Sequence, residues 1–213
     1  MDRYIFLDFE FNNAKKIQEV ISVGLVMCDT DFNVQLEYHS FVALSMTTTM
    51  NKYSTMVNNI TDEMLVDARD FKTVFRELKE KLNLKSNDKI FTWGLDDKKT
   101  FDKCIQHHDV EDEFKIMSNS MTSIQKRISS HVKIKGHVLN ESLALSSIKR
   151  ICNISGNVTH NALDDSIDLM NIYRKFLNNE FNSEVIEELF MEKLQKMQLK
   201  NNLNSLNNRK LMA

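Results

Sequence analysis

Acidic side chains occur in three widely separated blocks of this chain, and the last block also carries a histidine. The blocks are Leu7-Asp8-Phe9-Glu10, Trp93-Gly94-Leu95-Asp96-Asp97 and His160-Asn161-Ala162-Leu163-Asp164-Asp165. Carboxylate oxygens are the ligands that hard cations such as Mg²⁺ and Mn²⁺ prefer, and a histidine can take a proton from water near neutral pH. If the fold brings the three blocks together, they predict a metal cage suited to phosphodiester hydrolysis.

The first block places two carboxylates on one face of a strand. Asp8 and Glu10 are two positions apart in a strand-like stretch, and side chains alternate between the faces of a strand. Phe9 and Phe11 then point to the opposite face and anchor the strand in the core. Two like charges on one face favour a bound cation that compensates them. A solvent-facing acidic pair at a strand end is the alternative.

The second block follows a predicted strand, Lys89 to Trp93, and precedes a predicted helix. Functional residues of α/β sheets commonly lie just past the carboxyl end of a strand. Asp97 is therefore a candidate metal ligand. As the alternative, Asp96 or Asp97 caps the helix by accepting hydrogen bonds from backbone N–H groups.

The third block spans the start of a helix. His160 lies before the first turn and Asp165 lies one turn inside. Ala162 is small enough to let this helix approach the sheet closely, which suits a site shared between a helix and a strand. The alternative is a surface histidine followed by acids that interact favourably with the positive end of the helix dipole.

The elements around these blocks predict an α/β layered domain with a mixed sheet. Predicted strands are Tyr4 to Leu7, Val20 to Met27, Val34 to Phe41 and Lys89 to Trp93. Predicted helices are Met64 to Val66, a longer one capped by Asp70, Lys98 to Ile105, Leu143 to Ile151, Ala162 to Phe176 and one from Ser183. Thr47 to Lys52 predicts a loop, and Phe114 to Ser118 predicts a strand or edge segment. Residues 119–138 are ambiguous, with a helix as one interpretation of Met121 to Val132.

Composition limits the class of protein and its location. The 213 residues carry a formal net charge of −2, which argues against binding nucleic acid by bulk charge alone. Divalent cations in an acidic site would reverse the local charge, so an enzyme acting on nucleic acid stays open. Cys28, Cys104 and Cys152 are far apart and predict reduced thiols. With no signal peptide and no apolar stretch of the ~20 residues that span a bilayer, we expect a cytoplasmic protein without membrane contact.

Together the three blocks resemble the DEDDh family of 3′–5′ exonucleases, within the superfamily of RNase T and the proofreading exonucleases of DNA polymerases. The similarity spans roughly residues 3–178, and 179–213 would form a C-terminal helical extension with a frayed tail. Asp8-Phe9-Glu10 resembles the first motif of the family and Asp97 the second. His160 to Asp165 fits the pattern His-x-Ala-x-x-Asp, the most specific of the three. Trp93-Gly94-x-x-Asp97 is similar to the branch that contains histone-mRNA and small-RNA 3′-exonucleases.

The resemblance implies a ribonuclease H-like fold, in which a mixed five-stranded sheet is flanked by helices. It implies that Asp8, Glu10, Asp97 and Asp165 bind two Mg²⁺ or Mn²⁺ ions, with His160 as general base. The reaction would release nucleoside 5′-monophosphates from single-stranded RNA or DNA 3′ ends, with RNA slightly favoured.

The resemblance also implies substrate contacts. Phe9, Glu10 and His160 would contact the terminal nucleotide. Asn12 stands where the family often has Thr, and it can still hydrogen-bond the terminal sugar.

Two other functions stay open on the same fold. The first is a non-catalytic module that binds nucleic acid. The second is an assembly subunit, in which the apolar seam of the helix over 184–199 forms a homodimer or docks a protein partner. We favour the interpretation that this seam packs on its own domain, since apolar helix stripes usually face the core.

Overall fold

A computed structural model describes residues 3–85 and 87–211, with side chains described as far as residue 200. Its main sheet has five strands in the order β3-β2-β1-β4-β5. The strands are β1 Arg3–Ala14, β2 Ile17–Asp29, β3 Val34–Phe41, β4 Ile90–Thr92 and β5 Met121–Ser123. The first three strands pair antiparallel, whereas β4 pairs parallel with both β1 and β5. The predicted mixed five-stranded sheet is confirmed.

Helices cover both faces of the sheet and form two main cores, and a smaller third cluster surrounds Ile21 and Leu65. The helices are α1 Lys52–Asn58, α2 Asp62–Leu65, α3 Phe71–Leu82, α4 Asp96–His107, α5 Glu111–Ser120, α6 Gln125–Ser129, α7 Leu145–Ile151, α8 Ala162–Leu177 and α9 Ser183–Leu211. One core joins the sheet to α3, α4 and α5 around Phe75 and Phe101. The other joins it to α6, α7, α8 and α9 around Phe6 and Ile172. A separate hairpin pairs β6 Lys133–Ile134 with β7 His137–Val138.

Alternation along β1 decides which residues face which core. Phe6 belongs to the core under α8, whereas Leu7 and Phe9 belong to the core under α3 and α4. Asp8 and Glu10 therefore point to the same face of the sheet as Phe6. Phe6 is the last residue of β1 on this face that packs in the apolar core, so the two carboxylates lie just beyond it. The register between β1 and β2 shifts between Glu10 and Phe11, as expected at a β-bulge.

Several sequence predictions for single elements differ from the structure. Asp70 does cap α3, and it accepts a hydrogen bond from the N–H of Thr73 at 3.1 Å. The edge strand predicted at Phe114 to Ser118 is wrong, because this segment lies inside α5. Three acids fill the first turn of that helix, where negative charge is favourable. The helix predicted over Met121 to Val132 is instead β5 followed by α6. The loop predicted over Thr47 to Lys52 is irregular as far as Asn51, and α1, which was not predicted, follows from Lys52.

The C-terminal helix packs on the domain with its first turns. Ile186 is buried, and Val185, Leu189 and Phe190 pack partly against the same core. Asn182 accepts hydrogen bonds from the N–H groups of Glu184 and Val185 and so starts the helix. The predicted packing of this seam on its own domain holds for these turns. Residues 212 and 213 of the predicted frayed tail lie outside the described residues.

None of the described helices is both long and apolar enough to cross a membrane. The three cysteines are free and buried, and burial raises the pKa of each thiol, to about 11 for Cys28 and Cys104 and to about 12 for Cys152.

Candidate active site

The first two carboxylates stand on β1 where helix packing on that face ends. Glu10 is only 7% exposed and Asp8 is partly exposed. Both line a cleft of about 560 Å³ at the end of the sheet. The strand is anchored from the opposite face by Phe9, whose ring stacks on Phe101 at 6.0 Å between centroids. The sequence therefore presents the acids to the cleft by burying the intervening aromatic residue.

Close contact between α8 and β2 brings the third carboxylate to the same place. Gly24 is paired with Asp8 in the sheet, and a Cβ atom at this glycine would overlap the backbone of Ala162 and Leu163. Ala162 is itself fully buried. The absence of side-chain bulk on both sides seats the N-terminus of α8 on the strand beside Asp8. Asp165, one turn further, is then buried against β1 at 3% exposure.

Asp97 reaches the site because β4 is short. Its parallel pairing with β1 is confined to Ile5 and Phe6, so the edge of β1 beyond them needs another partner. The chain turns after Thr92 and starts α4, and the N–H of Phe9 donates to Asp97 Oδ1 at 3.2 Å. This hydrogen bond substitutes for a strand partner and fixes the carboxylate of α4 at the cleft.

His160 lies on the exposed segment that leads into α8. Its backbone has a positive φ of 53°, an uncommon conformation for a residue with a side chain. One ligand atom from each of Glu10, His160 and Asp165 lies within 4.8 Å of the others. The third sequence block thus meets the first at a distance suited to sharing a cation or a proton.

A buried lysine fastens the segment that carries His160. Lys149 of α7 is 3% exposed. Its Nζ donates to the carbonyl of Asn157 at 3.0 Å and forms an ion pair with Asp168 of α8. The lysine therefore ties α7, the loop before His160 and α8 together one turn from Asp165.

Burial makes the four carboxylates retain protons more strongly than usual, and repulsion by the other members of the cluster adds to this effect for Asp8 and Glu10. Burial, followed by the charges of Asp97, Glu10 and Asp165, raises the pKa of Asp8 well above its usual value. Burial raises the pKa of Glu10 to about 8, that of Asp97 to about 7 and that of Asp165 to about 6. Such a cluster carries its negative charge at neutral pH only at a cost, which a nearby cation removes.

The chemistry of this donor set fits divalent cations. Asp165 Oδ1 is buried and has no hydrogen-bond partner among the described residues, although buried carboxylate oxygens are normally paired. Four further carboxylates, including the exposed Asp96, and one imidazole line the same cleft, and oxygen-rich sites suit Mg²⁺ and Mn²⁺. A cation at this position would satisfy the unpaired oxygen and stabilise the charged form of carboxylates whose pKa values burial has raised.

The structure separates the adjacent acids that the sequence could not. Asp97 is buried at 6% exposure, whereas the Asp96 side chain is 76% exposed and pairs with Lys99 at 3.1 Å. Asp165 is buried, whereas Asp164 is exposed and accepts a hydrogen bond from the Thr159 hydroxyl at 3.4 Å. In each pair the second acid faces the other carboxylates.

Asn12 lies in a different environment from the one its predicted sugar contact requires. Its side chain is fully buried. Its Nδ2 donates to Thr47 Oγ1 at 2.8 Å and to the carbonyl of Thr49 at 3.1 Å, and its Oδ1 accepts from the N–H of Asn51 at 2.8 Å. The amide is therefore committed to holding the loop before α1, and it supports the cleft wall instead of lining the cleft.

Part of the cleft wall was missed by sequence reasoning. Helix α1 contributes Tyr53, Ser54, Val57 and Asn58 to the lining. The one signal for this helix is Asn51, which accepts a hydrogen bond from the N–H of Tyr53 at 2.8 Å as an N-cap. Trp93 is buried in the core under α8 and also lines the cleft, while its Nε1 donates to the Leu143 carbonyl at 3.2 Å.

Comparison with known proteins assigns this fold and acidic cleft to a class, the nucleases. An RNase T family model, described as an exonuclease, matches residues 5–173. The chain belongs to this exonuclease family, of the DEDDh class predicted from its motifs. No curated protein is similar enough in sequence to match it.

Solved structures support the fold. The nuclease domain of 3′hExo, a DEDDh family member bound to rAMP, has a TM-score of 0.69 and 18% identity, over 85% of this chain and 95% of that one. A 3′-exonuclease that recognises the histone mRNA stem-loop has a TM-score of 0.69 and 17% identity, over 85% of this chain and 66% of that one. E. coli exonuclease I with a dA16 oligonucleotide has a TM-score of 0.63 and 14% identity, over 92% of this chain and 46% of that one. The chain thus spans less than two-thirds of the length of the last two.

Proposed function

We propose that this chain is a divalent-metal-dependent 3′–5′ exonuclease that releases nucleoside 5′-monophosphates from single-stranded ends. The observation that carries the proposal is the convergence of Asp8, Glu10, Asp97 and Asp165 from β1, α4 and α8 in one cleft, with Asp165 Oδ1 unpaired among the described residues. Membership of the exonuclease family supports the reaction class.

In this proposal the four carboxylates hold two Mg²⁺ or Mn²⁺ ions. When bound, such ions supply an activated water and stabilise the oxygen that leaves the phosphate. The protein holds the ligands in place before substrate arrives, because Gly24 seats α8 and the Phe9 N–H fixes Asp97. Preorganised ligands of this kind need no rearrangement during the reaction.

His160 acts as the general base in the same proposal. Its side chain is exposed at the cleft, within 4.8 Å of the ligand atoms of Glu10 and Asp165. A neutral imidazole there takes a proton from the attacking water and returns it to solvent. The backbone of Phe9 and the side chain of Glu10 face the space for the terminal nucleotide, since both residues line the cleft.

RNA is the preferred substrate in this proposal. Two neighbours with a TM-score of 0.69 are described with rAMP and with histone mRNA, whereas the neighbour described with dA16 has 0.63. A backbone group in the cleft wall can recognise the 2′-hydroxyl that distinguishes RNA from DNA.

Digestion of matched single-stranded RNA and DNA oligomers tests the proposal. The native chain should release 5′-monophosphates from both, faster from RNA, with Mn²⁺ or Mg²⁺ and not with EDTA. Asp8→Ala and His160→Ala should each nearly abolish release, since removal of a general base alone costs about 10²–10⁴-fold. Asp8→Ala should also weaken Mn²⁺ uptake.

Matched substitutions of neighbouring acids provide a control. Asp97→Asn should lose activity, whereas Asp96→Asn should keep it within about threefold, because the Asp96 side chain is 76% exposed and a surface ion pair contributes little. Oligomer binding without any release by the native chain would leave only the non-catalytic binding module. Full activity of Asp8→Ala would exclude the assigned site.

A further inference from the structure

Charge is distributed unevenly along this chain. Residues 114–163 contain seven lysines and arginines and one acid, Glu141, whereas the rest of the chain contains 21 lysines and arginines against 29 acids. A second run without acids follows Glu192 in α9. A protein with almost balanced total charge therefore carries a cationic region on an acidic background.

The fold brings the two cationic runs together. Hairpin β6–β7 stands outside the main sheet and turns at Lys135 and Gly136, both with positive φ. Helix α9 contacts β6, and Lys193 Nζ donates to the carbonyl of Leu139 at 2.6 Å, directly after the hairpin. We define the basic surface as the exposed side chains of Lys126, Arg127, Lys133, Lys135, Lys193 and Lys196.

Several cations elsewhere in the described part of the chain pair with carboxylates, whereas those of the basic surface do not. Arg3, Arg69 and Arg76 each pair with a carboxylate. Within the part of the chain whose side chains are described, no member of the basic surface forms a salt bridge. Arg127 lies over the Phe176 ring at 5.4 Å, where its guanidinium remains at the surface. The surface is therefore available to an anionic partner.

The basic surface begins at the edge of the cleft. Gln125, which precedes Lys126, lines the cleft and donates from Nε2 to the Leu143 carbonyl at 2.9 Å. Leu139, at the base of the hairpin, and Leu143 belong to the same core. A strand that leaves the cleft past Gln125 meets cations first, whereas the rest of the molecule is net acidic.

We propose that the basic surface binds the phosphates of the nucleic-acid strand on the 5′ side of the nucleotide held in the cleft. The inference rests on the proposed exonuclease function, because a 3′-terminal nucleotide in the cleft leaves the upstream strand to be placed on the protein. Each nucleotide of that strand carries one negative charge, and Lys–phosphate contacts bind it with little regard to sequence.

Two lysine pairs of equal charge test the proposal. The first variant combines Lys133→Ala with Lys135→Ala on the hairpin. The control combines Lys89→Ala with Lys103→Ala. Lys89 directly precedes β4 and Lys103 lies on α4; both are exposed, and neither has a carboxylate partner among the described side chains. Hydrolysis of single-stranded RNA of about three and about fifteen nucleotides is measured between about 50 and 200 mM salt, a range in which phosphate contacts weaken strongly.

The hairpin pair should raise KM for the long RNA about tenfold and leave kcat unchanged. The slope of log KM against log salt should fall by about 1.4, at about 0.7 for each lost phosphate contact on a single strand. Hydrolysis of the short RNA by the hairpin pair should stay within about twofold of the native rate, since a strand of about three nucleotides has few phosphates outside the cleft. The control pair should leave the hydrolysis of both RNAs unchanged.

An unchanged KM for the long RNA in the hairpin pair, with the native chain active, overturns the proposal, as does an equal effect in the control pair. Binding of vesicles with anionic lipid that depends on Lys133 and Lys135, without any effect on RNA, would assign the surface to a membrane and also overturn it. If the native chain cleaves neither RNA, the proposed function fails, and fluorescence anisotropy of the labelled long RNA on the same variants then decides the surface alone.

Discussion

At the scale of single residues, the site is a set of carboxylates kept close against their own repulsion. Burial and like charge raise the pKa values of Asp165, Asp97 and Glu10 to about 6, 7 and 8. The folded state therefore holds protons that the unfolded chain, with carboxyl pKa values near 4, releases earlier. The site is a source of instability at neutral pH unless a cation is bound.

The direction of this linkage gives a first prediction. Because the folded pKa values are raised, the stabilising contribution of the protonated groups is complete below about pH 4 and is lost progressively as pH rises from about 4 to 8. In EDTA, the free energy of unfolding should fall by at least about 2 kcal/mol between about pH 5.5 and 8.5, roughly 5 °C in Tm. Calorimetric scans measure it.

Metal and substitution provide the controls for this pH dependence. Mn²⁺ should raise Tm more at about pH 8.5 than at about pH 5.5, because protons compete with the metal for the same oxygens. Asp8→Asn with Glu10→Gln should flatten the slope in EDTA, since two repelling charges are removed. A Tm in EDTA that rises steadily with pH over this range would contradict the raised pKa values.

At the scale of elements, the site depends on how closely α8 seats on β2. Gly24→Ala should destabilise the fold by at least about 3 kcal/mol, because the new methyl group overlaps helix backbone that has no rotamer to relieve it. Activity should fall with it, as Asp165 moves away from β1. Thermal denaturation and hydrolysis rates together measure both effects.

Gly94→Ala is the matched stability control for this substitution. The nearest atom to its new methyl group is the Asp96 nitrogen at 3.9 Å, an ordinary contact distance. The fall in Tm caused by Gly94→Ala should be several degrees smaller than the fall caused by Gly24→Ala. A Gly24→Ala protein as stable as native would show that α8 and β2 do not approach as closely as the structure indicates.

A further prediction concerns the loop between α7 and α8. Replacing the ion pair as a unit, by Lys149→Met with Asp168→Leu, should cost little stability, because apolar substitutes for a buried pair are often neutral. The Lys149 bond to the Asn157 carbonyl is lost all the same. We expect kcat to fall about 10- to 100-fold, the size of effect that supporting contacts of active-site groups have, while KM changes little.

A double-mutant comparison separates positioning of His160 from a general loss of structure. In a His160→Ala background, the same replacement of Lys149 and Asp168 should have almost no additional effect on residual Mn²⁺-dependent turnover. Additive losses in the two backgrounds would mean that the lysine acts on the fold as a whole and not through the imidazole.

Elements differ in how far their sequence determines them. Asp70 before an apolar stripe predicts α3, because cap and stripe are local signals. The Ala162 position predicts close helix–sheet contact, but its partner Gly24 is 138 positions away in the sequence, and no local pattern identifies it. Helix α5 is missed because its short apolar run, Phe114 to Ser118, fits a strand or a helix equally well.

Site residues follow the same division. Asp8, Glu10 and His160 could be predicted because their spacing within each motif is local, and the structure brings them to one cleft. The buried position of Asn12 could not be predicted, because its hydrogen-bond partners Thr47, Thr49 and Asn51 lie far along the sequence. Local spacing shows which side chains could share a site, whereas long-range packing decides which of them face it.

At the scale of the whole molecule, one sheet separates two cores, and the C-terminal helix completes the core that supports α8. The family match ends at residue 173, but Ile186 is 7% exposed in that core and the Asn182 N–H donates to the Ile151 carbonyl at 2.8 Å. Arg150 of α7 also pairs with Glu188 at 3.4 Å. The first turns of α9 therefore belong to the folding unit of the nuclease domain.

Truncation of one buried side chain of α9 tests this unity. Ile186→Ala should lower the free energy of unfolding by about 2–4 kcal/mol in a single cooperative transition, because a cavity opens in the core under α8. Met197→Ala lies on the same helix at 54% exposure, and its effect should stay within about 0.5 kcal/mol. Equal small effects, or a separate early transition in urea for α9, would make the helix an independent appendage. If α8 and α9 unfold in one transition, a cavity at Ile186, 21 positions after Asp165, also destabilises the helix that carries this carboxylate. Ile186→Ala should therefore lose nuclease activity at a lower temperature than Met197→Ala.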